Sequence, residues 1–155
     1  MGGDQGPQAT LEGVAMASKI YPNVKFKLFG DLNKSKSELK TNTFENYEFI
    51  HTEESIKSDD EPVNALRKLK RSSMRLGINQ VSSNEADGFV SAGNTGALMA
   101  ISKFVLKTLN GISRPAIAGL MPTLKGQTVI LDLGANVDCS NDNLVQFALM
   151  GYCPL

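Results

Sequence analysis

The chain has 155 residues, enough for one domain with its own core. Its hydrophobic fraction is 41%, its charged fraction 21% and its formal net charge zero, the profile of a soluble globular protein with no global pull toward nucleic acid or an anionic membrane surface. Two cysteines, Cys139 and Cys153, and one distant histidine, His51, are too few for a zinc site, so no metal is expected and free thiols are the simpler reading.

The N-terminal string MGGDQGP lacks the basic and apolar stretches of a signal peptide, and no run reaches the ~18 apolar residues of a membrane span, so the chain reads as cytosolic. Glycines 2, 3 and 6 with Pro7 mark a turn. Leu11, Val14, Ala15 and Ala17 recur at helical spacing over Ala9 to Ile20. Val24 to Phe29 alternates with period two and stops at Gly30, a strand signal. Asp31 to Asn46 is polar and weakly periodic, and Tyr47 to Ile50 predicts a short strand. Glu45 to Glu61 holds seven acidic residues against one lysine and reads as a solvated loop or exposed face.

Pro62 suits the first turn of a helix through Leu66 and Leu69, and Met74 to Val81 continues a helical pattern. Asp87 to Ala92 is a small apolar run ending at Gly93, read as a buried strand. Thr95 to Leu109 is amphipathic at helical spacing. Pro115 to Met121 and Thr128 to Leu131 predict two more strands, and Asp142 to Met150 a last helix. The alternation of strands and helices argues for an α/β fold with a mostly parallel sheet covered on both faces, without repeats or a linker.

Four loops carry the chemistry. Ser91 to Ala97 (SAGNTGA) joins a predicted strand to a helix. Asn94 or Thr95 is placed to cap that helix, and the N–H groups of its first turn would face an anion. It is neither GxGxxG nor GxxxxGK[ST], so no nucleotide site is indicated, and a tight glycine turn with an ordinary cap explains it as well. Asp132 to Asp138 (DLGANVD) follows an apolar strand and offers two carboxylates and the Asn136 amide, either a polar site or a turn bonded to its own backbone.

Between Arg67 and Arg75 stand five cations and no acid. On one helix Arg67, Arg71 and Arg75 would share a face. Alternatively Ser72 and Ser73 break the run and start a new helix, holding the cations at a junction; either is a phosphate-attracting cluster or a solvated face. Asp4 either shapes a glycine-rich loop or caps the helix that follows.

The strings MGGDQGP, LKRSSM, VSAGNTGALMA, SRPAIAG, LDLGANVDC and LVQFALMG occur in this order in the bacterial phosphate acyltransferases of the PlsX type. The chain resembles that family over nearly its whole length, most weakly from Asp31 to Lys57. The resemblance implies a three-layer α/β/α sandwich like the phosphotransacetylases and isopropylmalate dehydrogenases, dimeric, with no organic cofactor. It implies transfer of a fatty acyl group from acyl carrier protein to inorganic phosphate. The acyl phosphate product would pass to a membrane acyltransferase that uses glycerol 3-phosphate. It also implies a cytoplasmic enzyme touching the inner face of the membrane only peripherally. A phosphate acetyltransferase acting on coenzyme A uses similar physics, but the family strings disfavour it.

On that resemblance Lys70, Arg71, Asn94, Asp132 and Asn136 are the candidate catalytic residues. Asp4, Ser73, Ser91, Gly93, Thr95, Gly96 and Gly134 are the candidate phosphate- or substrate-binding residues. The family places an apolar strand before the MGGD string and continues well beyond the last one. Residues 1–155 are therefore expected to form part of an acyltransferase domain, with the first strand and C-terminal half of the family fold absent. Unpaired strand edges and bare apolar surface are expected to follow. The alternative function is an inactive remnant that at most binds phosphate or acyl carrier protein.

Overall fold

The computed structural model describes residues 3, 5–41 and 44–152. Its contacts divide the chain into two compact units, Met1–Leu106 and Lys107–Leu155. Strands and helices alternate only from α1 to α3; α3, α4 and α5 then follow one another and β3 and β4 are adjacent, and the chain is α/β.

The first unit begins with α1 (Gly6–Ile20), whose first turn holds Pro7 and which buries Leu11 and Ala15. Strand β1 (Phe26–Gly30), helix α2 (Leu32–Thr41) and strand β2 (Tyr47–His51) form a parallel β-α-β unit, with Phe26 opposite Tyr47 and Gly30 opposite His51. Helix α2 lies in the stretch that showed only weak periodicity. Its start is set by Asp31, whose Oδ1 accepts the Asn33 N–H at 2.9 Å while its carbonyl takes the Ser35 amide and hydroxyl. A cap with only one apolar residue in the first turn gives a helix that no apolar stripe announces.

Helix α3 (Pro62–Lys68) and helix α4 (Ser73–Ser82) are separate. Ser72 is the cap of α4: its Oγ accepts the Arg75 N–H and donates to the Leu69 carbonyl. The break carries Arg71 and leaves Arg67 and Arg75 on different helices, so the three arginines do not share a helix face. The junction reading is the correct one. Helix α5 (Thr95–Leu106) packs against both α3 and α4, and α4 also packs against β1. The core is Ile56, Ala65, Met74, Ile78, Ala97 and Ile101, flanked by Leu66, Leu69, Phe89, Leu98 and Val105. Gly77 admits the Phe89 ring: a methyl group there would lie 2.1 Å from Phe89 Cε2.

Residues 87–92 are not a strand. Among the described residues nothing pairs with this segment; Phe89 packs on the core but Val90 is 96% exposed, so the run is not laddered and only partly buried. The Thr95 helix stops at Leu106 rather than Leu109, because Lys107 takes a positive φ of 65°.

In the second unit β3 (Gly119–Thr123) and β4 (Gly126–Ile130) make an antiparallel hairpin, followed by α6 (Asn141–Tyr152). Strand β3 begins at Gly119 and not at Pro115. Pro115 has no N–H, its carbonyl is taken by Asn136, and the Ile117 N–H is taken by Asp132, so these groups are not available to a ladder.

Candidate functional site

The Ser91 to Ala97 loop is built from its own side chains. Ser91 Oγ accepts the Gly93 N–H at 3.1 Å and folds the turn. Asn94 caps α5: its Oδ1 accepts the Ala97 N–H at 2.8 Å. Its Nδ2 donates to the carbonyls of Lys57, Ser58 and Asp60 at 3.2, 3.1 and 2.9 Å. Thr95 and Gly96 follow, exposed, and their N–H groups meet no acceptor among the described residues. Gly96 is bare because Pro62 leans on it; a methyl group there would lie 2.8 Å from Pro62 Cγ. Gly3 sits against Ala92, whose carbonyl would be 3.0 Å from a methyl on Gly3, so the two glycine-rich strings are neighbours. Asp4 lies outside the described residues.

Lys70 and Arg71 occupy the turn between α3 and α4, both exposed. Neither they nor Arg67 and Lys68 have a carboxylate within ion-pair distance among the described residues. What holds this turn is main chain. The Arg71 N–H donates to Glu54 Oε2 at 3.1 Å, and its carbonyl accepts from Thr52 Oγ1 at 2.6 Å. The N–H of buried Ser73 goes to the Glu54 carbonyl, so the first turn of α4 is closed by its own chain. Among the described residues the α4 terminus is therefore occupied where the α5 terminus is open.

Both turns are tied to one connection, residues 52–61 between β2 and α3. Thr52 and Glu54 grip the basic junction, and Lys57, Ser58 and Asp60 receive Asn94. The sequence reads it as part of Glu45 to Glu61, a solvated loop or exposed face. Thr52 and Ile56 are nonetheless buried within residues 52–61, a pair too short to give a periodic signal among five acids.

In the second unit Asp132 and Asn136 act on each other. Asp132 Oδ1 accepts the Ile117 N–H at 2.7 Å; its Oδ2 accepts the Asn136 backbone N–H at 2.6 Å and the Asn136 side-chain amide at 3.1 Å. Asn136 Nδ2 also donates to the Pro115 carbonyl at 3.0 Å, and Arg114 Nη1 donates to the Asp138 carbonyl at 3.2 Å. The strings SRPAIAG and LDLGANVDC are thus one hydrogen-bonded piece, turned at Gly134 with its φ of +85°. Burial pushes the Asp132 carboxyl up, but the N–H groups of Ile117, Asn136 and Ala135 and the Asn136 amide outweigh it and hold the group below the usual carboxylate range. It is an anion at neutral pH, held by four donors.

His51 accepts the Leu32 N–H through Nδ1 at 3.2 Å, at the start of α2. Cys139 is an exposed free thiol, and Cys153 lies outside the described residues. Among the described residues no three His, Cys, Asp or Glu side chains converge as metal ligands would, and no helix is long and apolar enough to cross a membrane.

A profile of the family described as "Fatty acid synthesis protein" matches residues 1–153. The chain is 52% identical to a phosphate acyltransferase of Magnetococcus marinus over 97% of its own length and 44% of that protein. It is 51% identical to the phosphate acyltransferase of Paramagnetospirillum magneticum, again over 97% and 44%. The chain belongs to the phosphate acyltransferase family. The same enzyme of Vibrio campbellii is 48% identical over 97% of this chain and 46% of its own. The chain thus spans less than half the length of these curated relatives, and it carries the phosphate acyltransferase strings on the turns described above. The matched family is described by fatty acid synthesis, and these relatives are named phosphate acyltransferases.

Proposed function

We propose that this chain supplies the phosphate-holding part of an enzyme that transfers a fatty acyl group from acyl carrier protein to inorganic phosphate. A phosphate oxygen attacks the thioester carbonyl, the tetrahedral oxyanion collapses, and the C–S bond breaks. The products are acyl phosphate and the carrier thiol, which takes the proton of hydrogen phosphate. Phosphate is already an anionic nucleophile, so no Ser–His pair is needed. Fixing two substrates in line would provide much of the rate.

The observation that carries this reading is the open first turn of α5. The exposed N–H groups of Thr95 and Gly96 suit a phosphate, in a family whose relatives are named for acyl transfer to phosphate. Ser91 and Gly93 shape the turn. Lys70 and Arg71 add positive side chains that make no ion pair among the described residues, on a turn whose Arg71 N–H rests on the Glu54 carboxylate and which Ser73 seats. Asp132, Gly134 and Asn136 hold the second loop in shape. Acyl carrier protein and phosphate are the partners, and a membrane enzyme acting on glycerol 3-phosphate consumes the product. The cytoplasmic face of the membrane is the place of work.

The test is acyl phosphate formation by the purified chain from acyl carrier protein thioester and phosphate, trapped with hydroxylamine. Product should depend on both substrates. Arg71→Ala should lower the rate at limiting phosphate about tenfold or more, because it removes a charge and leaves the main-chain bonds of Arg71 in place. No product from a chain shown to be folded would sink the reading in favour of an inactive remnant.

A further inference from the structure

We infer that Asn94 is a positioning residue that keeps three carbonyl oxygens of the 57–60 turn from facing the anion held at the start of α5; the inference rests on the phosphate reading of that terminus. Capping alone does not call for asparagine. Serine, threonine and aspartate cap helices about as well, because the cap needs one oxygen for one N–H. Asparagine differs in carrying two side-chain N–H donors as well. Here the cap uses Oδ1 toward Ala97, and the amide protons are shared among the carbonyls of Lys57, Ser58 and Asp60. With its amide protons so engaged, Asn94 acts through the turn.

The turn it grips has little else to hold it. Among the described residues its other hydrogen bonds are internal: the Lys57 N–H to Asp60 Oδ2 at 2.8 Å and the Asp60 N–H to the Lys57 carbonyl at 3.3 Å. Ile56, buried next to it, fixes its root. Carbonyl oxygens carry the negative end of the peptide dipole. Three of them meet at the Asn94 amide, one residue before Thr95, and would repel an anion at the helix start unless donors quench them. The Asn94 amide supplies those donors while its oxygen closes the helix, so one side chain both orders the turn and makes the helix start hospitable to phosphate.

The measurement is a titration of the isotope-labelled chain with inorganic phosphate, followed at the Thr95 and Gly96 amides, with hydrogen exchange at the Lys57 and Asp60 amides. Asn94→Ser keeps a cap and loses the donor pair. It should weaken the apparent phosphate Kd about tenfold and lower turn protection, while the Ala97 and Leu98 amides keep theirs. Asn94→Asp, an equally strong cap with no donor, is the second variant and should weaken binding further. A merely structural asparagine would move the melting midpoint and leave phosphate affinity alone. No response of Thr95 and Gly96 in the unaltered chain would overturn the phosphate reading and this role with it. A clear response that both variants leave intact would overturn the role alone.

Discussion

The two units solve burial differently. Among the described residues, every buried hydrophobic side chain except Phe147 belongs to the first unit. There α3, α4 and α5 close around Ile78 and Ile101, both about 1% exposed or less. In the second unit all of β4 and most of β3 are exposed, and Leu144, Val145, Leu149 and Tyr152 of α6 are bare. A hairpin and one helix have too few faces to cover one another. The lesson is that polar bonding and apolar burial are separable. The second unit orders its loops through the Asp132–Asn136 and Ser113–Asn143–Gln146 bonds with hardly any core.

That contrast can be broken most strongly at Ile101. Ile101→Ala should cost the first unit about 2 to 5 kcal/mol in a denaturant melt. Amides of β1 and β2 should exchange more slowly than those of β3 and β4 in the unaltered chain. Equal protection of the two strand pairs would dissolve the comparison.

Next comes Gly77→Ala, which should cost about 1 to 3 kcal/mol, because the new methyl group collides with the Phe89 ring and one of them must move. A melt unchanged within error would show that the ring has room to retreat.

The smallest effect sharpens the second unit. The folded-state pKa of Asp132 is depressed, so its contribution is present above the ordinary carboxylate range near pH 4 and is lost as pH falls through the folded value. Asp132→Asn should cost about 1 kcal/mol at pH 7, discounted for partial exposure, and flatten the acid limb of the stability curve. An acid limb identical to that of the unaltered chain would remove Asp132 from the account.

Much of the first unit was legible in sequence. Its long helices carry apolar stripes, and Ser72 and Pro62 punctuate the chain as such residues do. Helix α2 escaped because its start rests on one cap and it buries only Ser35. The run 87–92 misled for the opposite reason: its composition suits a strand, but composition supplies no partner, and Val90 stands in the open. The candidate loops were visible from their small residues and amides. The acceptors they reach were not, since Asn94 finds carbonyls more than thirty residues upstream in a stretch that looks merely acidic.

The connection over 52–61 has a consequence for how the chain tolerates cutting and rejoining. It spans ten residues and is the strap on which two separate motifs hang, one through Thr52 and Glu54, the other through Lys57, Ser58 and Asp60. New termini opened there would let both motifs drift, however acidic and surface-like the segment looks. The tip of the β3–β4 hairpin, with Leu124 fully exposed, is the place where a break or a graft would disturb least.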